Sequence, residues 1–344
     1  MNRSVRWVAA VLAVVGLAAV LTGCGSDSDA SGGGDSATLT VYNAQHEDLV
    51  AEMVSAFTAE TGIDVAIRNG SDLEMANQIV QEGERSPADV FLTENSPAIS
   101  LVDARNGFVP VDAATLKQVP ARYAPVNKHW VGFAARATVL IYNPDDIAVA
   151  ELPKSIMDLA DPKWKAQVGY SPTGADFQAI VSAVLALEGE AATTTWLDGL
   201  ASNALPFQGN LRVMAAVNSG QVPLGVIYHY YWFQDQAESG ENSSDTALHY
   251  FGNKDPGAFV SVSGAGILKS SDHQAEAQKF LAFITGPSGQ EVLANGTALE
   301  YTVGRGVPAN TALTPLAELD PPVLDPAELN SEQVVTLMQD AGIL

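Results

Sequence analysis

The chain has 344 residues, of which 40 are acidic and 17 basic, so its formal net charge is −23 at pH 7. A surface this acidic repels nucleic acid and anionic lipid headgroups, which excludes both as electrostatic partners. The single cysteine, Cys24, excludes an internal disulfide, and the length suits two domains.

The N-terminus carries the pattern of a secretory signal. Two arginines precede an apolar run over residues 7–21, which is too short for a permanent membrane span. The run ends in Leu-Thr-Gly-Cys24, which resembles the lipobox of bacterial lipoproteins. We therefore predict a signal peptide over 1–23 and a lipidated Cys24. A Gly/Ser/Asp-rich flexible tether completes the segment 24–37, so the protein is predicted to be extracytoplasmic and anchored to the membrane.

Alternating strand and helix patterns follow the tether. Predicted strands cover residues 39–42, 63–67, 88–92, 138–142, 166–170 and 225–228. A helix with Val50, Met53, Val54 and Phe57 on one face ends at Gly62, and a later helix covers 275–285. This alternation predicts an α/β protein with largely parallel sheets.

Polar and aromatic side chains follow several of these strands. Ligands of open α/β sheets bind beyond the carboxyl ends of the strands, and His46, Glu94 and the pair Tyr230–Tyr231 all lie at or just past such ends. Their shared position predicts one site. The stretch 226–233, VIYHYYWF, is open to two interpretations at this point, a half-buried strand or a metal site.

Six motifs carry a family resemblance. They are VYNAQH at 41–46, RSPADVF at 85–91 with Glu94, PKWK at 162–165, YYW at 230–232, DPGA at 255–258 and SGAG at 263–266. In order and approximate spacing they resemble bacterial periplasmic ferric-ion-binding proteins, and the resemblance covers residues 39–344. It implies the substrate-binding component of an iron ABC transporter, with a type II-like, two-lobed periplasmic-binding-protein fold and a ligand cleft between the lobes.

The resemblance also implies a set of iron ligands: His46, Glu94, Tyr230 and Tyr231. Carboxylate and phenolate oxygens are hard donors that suit a small, highly charged cation. Two phenolates and one carboxylate would neutralise Fe³⁺, and a free phenol has a pKa near ~10, so binding must displace two protons and acid should favour release. In the family, a synergistic anion and water fill the two remaining octahedral positions.

The anion pocket departs from the family pattern. The implied anion-contact residues are Asn95, Thr173, Gly174, Ala175, Asn210, Tyr228 and Arg136. The usual Thr-Ser-Gly-Ala turn is Thr-Gly-Ala-Asp here, Asn95 replaces a glutamine and Tyr228 replaces an asparagine, whereas Asn210 matches. Asp176 would either repel an anion or cap its helix facing away. Phosphate, carbonate, citrate, or a third tyrosine ligand from Tyr228 all remain open.

Several of these side chains also have ordinary structural interpretations. His46 could cap the following helix, Glu94 could be an exposed strand end, and Arg136 could pair with a surface acid. Enzyme readings find little support, because the chain lacks the second histidine of a zincin, a Gly-x-Ser-x-Gly elbow, a P-loop and a convincing dinucleotide fingerprint. We therefore predict a binding protein, not an enzyme.

The predicted architecture has two lobes joined by two crossing segments. Lobe 1 comprises 38–137 plus 263–310, and lobe 2 comprises 138–262 plus 311–344. Hinge closure around the ligand is the expected motion of a monomer. The resemblance implies an ABC permease and ATPase as partners. Alternatives are a carrier of the same fold for an oxyanion or small organic solute, and a surface protein that docks a receptor without a ligand.

Overall fold

The computed structural model describes residues 38–344. The predicted signal peptide, Cys24 and the tether lie outside the described residues. Every helix among the described residues is too short or too polar to span a bilayer.

Helices and strands alternate along this part of the chain. The strands are β1 Thr38–Asn43, β2 Asp64–Asn69, β3 Val90–Leu92, β4 Trp130–Tyr142, β5 Val168–Tyr170, β6 Leu205–Pro206, β7 Leu224–Tyr228, β8 Ala247–His249, β9 Val260–Ile267 and β10 Tyr301–Thr302. The helices are α1 Glu47–Thr61, α2 Asp72–Glu82, α3 Ser96–Ala104, α4 Ala113–Leu116, α5 Ala175–Glu188, α6 Glu190–Asn203, α7 Asn210–Asn218, α8 His229–Glu238, α9 Gln274–Thr285, α10 Pro287–Asn295 and α11 Ser331–Asp340.

The strands join in the order β2-β1-β3-β9-β4-β7-β5-β6, with β8 and β10 also paired to β4. The flanks are parallel: β1 pairs with β2 and β3, and β5 pairs with β6 and β7. The centre is antiparallel, because β4 runs against both β9 and β7. The expectation of largely parallel sheets is therefore wrong at the centre, where the crossing strands run in opposite directions.

Strand β4 contributes to three hydrophobic cores, the smallest of which contains Val139 and Ile141 together with residues of α7 and β7. All thirteen of its residues are buried, and it begins eight residues before the predicted strand. Its residues up to Ala137 pack in a first core with 39–123 and 262–319, while Leu140 and Tyr142 pack in a second core that ends at Met338. We retain the predicted lobe boundaries as a proposal that this distribution supports, although Leu313 and Leu319 pack in the first core.

The tyrosine-rich stretch divides between a strand and a helix. β7 pairs with β4 up to Tyr228 opposite Thr138, and further back β4 pairs with β10 at Ala135 and Ala134. The Ala137 N–H donates to His229 Nδ1 at 3.2 Å and not to a further residue of β7, and the chain turns into α8 at His229. The strand interpretation of 226–233 is thus wrong beyond Tyr228, and Tyr230 and Tyr231 lie in the first turn of a helix.

Candidate metal centre

The four predicted iron ligands lie where strands lead into helices. His46 is the N-cap residue of α1, just after β1, and Glu94 follows β3. Because β1 and β3 are parallel neighbours, these two loops lie side by side. Tyr230 and Tyr231 begin α8 on the other side, directly after β7. His46 makes no side-chain capping bond, so the interpretation of its imidazole as a helix cap is wrong.

Two of these side chains converge on one oxygen atom of a third, Glu94. Tyr230 donates from its hydroxyl to Glu94 Oε1 at 3.0 Å, and His46 Nε2 lies 3.4 Å from the same atom. The Tyr230 ring centre is 4.9 Å from that of His46 and 4.2 Å from that of Tyr231. The structure thus brings all four predicted ligands together, with Tyr230 almost fully buried and His46 30% exposed.

Asp176 faces this cluster. It is buried near the start of α5, where the N-cap residue is Gly174 and no side chain caps the helix. Its Oδ2 accepts from the Tyr231 hydroxyl at 3.2 Å and from Asn210 Nδ2 at 2.7 Å, and its Oδ1 accepts from Asn95 Nδ2 at 3.0 Å. The interpretation of Asp176 as a helix cap facing away is therefore wrong.

The remaining predicted anion contacts divide into two groups. Tyr228 is fully buried and donates from its hydroxyl to Asn95 Oδ1 at 3.4 Å, which places it in the same network. The turn before α5 lies further out: Thr173 is exposed, and Gly174 and Ala175 are half-buried. The Gly174 N–H already donates to the Ser171 carbonyl at 3.3 Å.

Arg136 lies within β4 and is fully buried. Its Nη2 is 2.5 Å from Glu300 Oε2, its Nη1 is 3.3 Å from Glu94 Oε1, and Nη1 also donates to the Glu94 carbonyl. The interpretation of Arg136 as the partner of a surface acid is wrong. Glu300 Oε1 lies 3.2 Å from His46 Nδ1, so this carboxylate joins Arg136 to the imidazole.

Sequence reasoning missed Glu300 and Asp72. Glu300 is fully buried just before β10, and its only sequence signal is an acid set between Leu299 and Tyr301. Asp72 is buried at the start of α2, where its two oxygens accept the backbone N–H groups of Glu94 and Asn95, each at 2.9 Å. Asp72 therefore fixes the loop that carries Glu94.

Buried charges set the protonation of His46 and Glu300. Burial by itself would lower the pKa of His46, but hydrogen bonds to Glu300 and Glu94 outweigh it and raise that pKa to about 10. Burial would raise the pKa of Glu300, but the Arg136 charge and the His46 hydrogen bond lower it to about 2. At neutral pH the metal-free site therefore holds an imidazolium between two carboxylates.

The phenols are neutral in the metal-free site. Burial, followed by the charges of Asp176 and Glu94, raises the pKa of both Tyr230 and Tyr231 well above 10. Burial and the Glu94 charge also raise the pKa of Asp176, to about 7. A ligand that replaces the two phenol protons must carry a high positive charge, because only such an ion offsets the free-energy cost of deprotonating two buried phenols.

The candidate donor atoms are the oxygens of Glu94, Tyr230 and Tyr231 and one imidazole nitrogen, that of His46. Within residues 38–344, histidine, cysteine and carboxylate side chains alone form no group of three that could hold a metal ion. A metal centre at this position therefore requires the tyrosine oxygens. Phenolate and carboxylate oxygens are the donors that hard, highly charged cations prefer.

Comparisons with known proteins agree on one class. Residues 85–326 match the family of bacterial extracellular solute-binding proteins. The chain is 56% identical over 306 residues to an Fe(3+)-binding periplasmic protein of Serratia marcescens, covering 89% of this chain and 90% of the relative. It is 36% identical over 310 residues to the major ferric iron-binding protein of Neisseria meningitidis serogroup B, covering 89% and 93%.

A solved structure gives the same result. Iron-bound HitA from Pseudomonas aeruginosa matches with a TM-score of 0.83 and 43% identity, over 89% of this chain and 99% of that one. The two-lobed α/β fold and its polar cleft define an extracytoplasmic solute-binding protein. Within that class, the chain belongs to the ferric-ion-binding protein family. The predicted fold class and family are confirmed.

Proposed function

We propose that this protein captures ferric iron in the cleft between its lobes and delivers it to an ABC permease and its ATPase. The observation that carries the proposal is the pair of buried phenols, Tyr230 and Tyr231, whose hydroxyls meet the carboxylates of Glu94 and Asp176. His46, Glu94, Tyr230 and Tyr231 are the proposed ligands. As in the family, an anionic group completes the coordination.

The charges around the cleft favour a cation. Four buried or mostly buried carboxyl groups lie in this network, those of Asp72, Glu94, Asp176 and Glu300. The two cations, Arg136 and His46, are each already paired with both Glu94 and Glu300. A free oxyanion that entered alone would therefore compete with buried carboxylates for these cations, which disfavours the alternative carrier of an oxyanion or organic solute.

The remaining features of the proposal follow from the family and from the N-terminus. The protein acts as a carrier and not as an enzyme, works as a monomer, and is held at the outer face of the membrane by lipid on Cys24. Lobe closure bends the two crossing strands, β4 and β9, and iron bridges His46 and Glu94 of lobe 1 to Tyr230 and Tyr231 of lobe 2.

The test is a titration of the chelator-stripped protein, residues 38–344, with ferric iron supplied as a weak chelate. Tyrosinate bound to Fe³⁺ absorbs visible light by charge transfer, so wild type should develop a band that saturates at one iron per chain. The double variant Tyr230→Phe/Tyr231→Phe should lack it.

Tyr142→Phe is the matched control. Tyr142 is a buried tyrosine on β4, six residues from Arg136 and so about 20 Å along the strand. The control variant should keep the band unchanged. A colourless wild type that is stabilised by an anion or an organic solute would replace the iron carrier with the alternative. A protein that no ligand stabilises would instead be a docking protein.

A further inference from the structure

A cavity lies behind the crossing strand β9, on the face of that strand opposite the cleft. Its volume is about 280 Å³, near the lower end of the range for small-molecule sites, about 300–1,000 Å³. On the cleft side, Ser261 and Ser263 donate hydrogen bonds to the loop that carries Glu94. Val260 and Val262, which alternate with these serines along the strand, line the cavity. One strand therefore separates the cavity from the candidate metal centre.

The walls of the cavity come from both the first and the second hydrophobic core. Ser96 also lines it, and the Ser96 hydroxyl donates to the Val262 carbonyl at 2.8 Å. Because Ser96 lies two residues after Glu94, the loop of the metal centre forms part of the wall. A molecule bound here would contact parts of the fold that move relative to one another when the proposed lobes close. The apolar wall residues of the first core are Tyr123, Val262 and Leu316, and those of the second are Phe259, Leu324 and Leu329.

Two cations line this cavity without a partner of opposite charge. Arg122 and Lys254 are both exposed, and neither forms an ion pair with any residue of 38–344. The Arg122 guanidinium lies 4.8 Å from the centre of the Tyr123 ring, which is a wall residue. Among the described residues that line the cavity, Asp320 is the one acid, so the cations exceed the acids by one. In a protein of formal net charge −23, such a lining favours an anion at this place.

The cavity is described here in a closed arrangement of the proposed lobes. Tyr230 donates to Glu94 across the cleft, and Gln234 Nε2 donates to the Ala298 carbonyl at 2.9 Å. A ligand that binds the cavity in this arrangement stabilises the arrangement, and iron that bridges the lobes stabilises the same one. The two ligands should therefore strengthen each other's binding by an equal factor.

We propose that this cavity is a second ligand site, which takes a small monocarboxylate with an alkyl or aryl body and, when occupied, favours the closed, iron-binding arrangement. The apolar walls would hold the body of the ligand, and Arg122 and Lys254 would pair with its carboxylate. An inorganic oxyanion would leave the apolar walls in contact with water, so an organic acid fits better. The site stands apart from the proposed function, whereas its coupling to iron rests on that function.

Calorimetry tests the site by titrating the metal-free protein with octanoate and with phenylacetate. At least one of these acids should bind at one molecule per chain, whereas octylammonium, with the alkyl chain of opposite charge, should not. Arg122→Gln/Lys254→Gln should bind the acid at least about threefold more weakly, because both lost ion pairs would be exposed ones. Ala317→Trp, which fills the cavity from an exposed lining position, should abolish binding.

Arg85→Gln/Lys165→Gln is the matched control, because it also removes one arginine and one lysine, both exposed and outside the cavity. It should bind the acid like wild type. Every substitution is at an exposed position, so all the variants should fold. The second site would be overturned if neither acid bound to wild type, or if the double variant at Arg122 and Lys254 bound as tightly as wild type.

The same titration of the iron-loaded protein tests the coupling, with no free iron for the acid to chelate. Iron-loaded wild type should bind the acid at least about fivefold more tightly than metal-free wild type. Equal affinities would overturn the coupling and leave the proposed function standing. A protein that takes up no iron would overturn the proposed function together with the coupling, whereas the site is decided by the metal-free titrations alone.

Discussion

Replacing Glu300 with glutamine should destabilise the iron-free protein and weaken iron binding. The substitution keeps the shape and an acceptor oxygen but removes the charge that faces Arg136 at 2.5 Å and His46 at 3.2 Å. Glu300 is fully buried, so solvent does not screen these interactions. The difference between its ordinary pKa of 4.5 and about 2 in the fold corresponds to about 3 kcal/mol of stability.

The sign of the pH dependence follows from the lowered pKa. The stabilisation by Glu300 is present above pH 4.5, where the carboxylate is ionised in both folded and unfolded chains. It is lost as the pH falls toward about 2. The stability gap between wild type and Glu300→Gln should therefore be about 3 kcal/mol at neutral pH and about 1 kcal/mol smaller near pH 3.5.

Urea unfolding at the two pH values measures this gap, with the exposed Glu291→Gln as the matched control. Competition for ferric iron should show a loss of about 10- to 100-fold in affinity for Glu300→Gln, because His46 loses the charged partner of its Nδ1. A variant within about 0.5 kcal/mol of wild type at neutral pH would refute the reasoning. A gap that does not shrink in acid would refute it too.

Three further predictions follow from the same structure. At about pH 8.5, ferric binding should release about three protons per iron, from His46, Tyr230 and Tyr231, so affinity should rise with pH. Calorimetry in buffers of different ionisation enthalpy measures the number of protons released, and a pH-independent affinity would contradict the prediction. Burial lowers the pKa of His229 to about 3, so below pH 6.5 the unfolded chain binds a proton that the folded chain does not, and the stability of wild type falls. In urea unfolding, the stability of His229→Phe relative to wild type should therefore rise by about 1.4 kcal/mol for each pH unit of acidification, and a constant difference would be evidence against this. A Cβ on Gly199 would lie 2.5 Å from the Ala160 Cβ, so Gly199→Ala should lower the free energy of unfolding in urea by about 1–3 kcal/mol. Replacement of the exposed Thr195 by alanine on the same helix should lower it by less than about 0.5 kcal/mol, and equal effects would count against the packing argument.

Local patterns predicted the elements that carry the ligands. The helix with Val50, Met53 and Phe57 buried on one face ends at Gly62, whose φ of 72° is one that glycine adopts readily. Strand ends before His46, Glu94 and the tyrosine pair were also predicted, since strand length and the polar residues that follow are local properties of the sequence.

The pairing of strands was less predictable. Residues 130–137 carry no alternation of polar and apolar side chains, because this half of β4 is buried throughout. The pairing of β4 with β9, β10 and β7 likewise depends on contacts between segments that are distant in the chain. The end of β7 at Tyr228 follows from that pairing, because the Ala137 N–H is bonded to His229 Nδ1 and the residues before it in β4 pair with β10.

Residue types and local pattern were enough to indicate the kind of chemistry: hard oxygen donors and one imidazole after strand ends, in an acidic chain with one cysteine. The partners of these groups depended on how the fold packs. The fold buries Glu300 between Arg136 and His46, and it turns Asp176 toward Tyr231 and the two asparagines. The physical reason is that side-chain periodicity and propensity are set by near neighbours, whereas the partner of a buried charge is chosen by packing between distant segments.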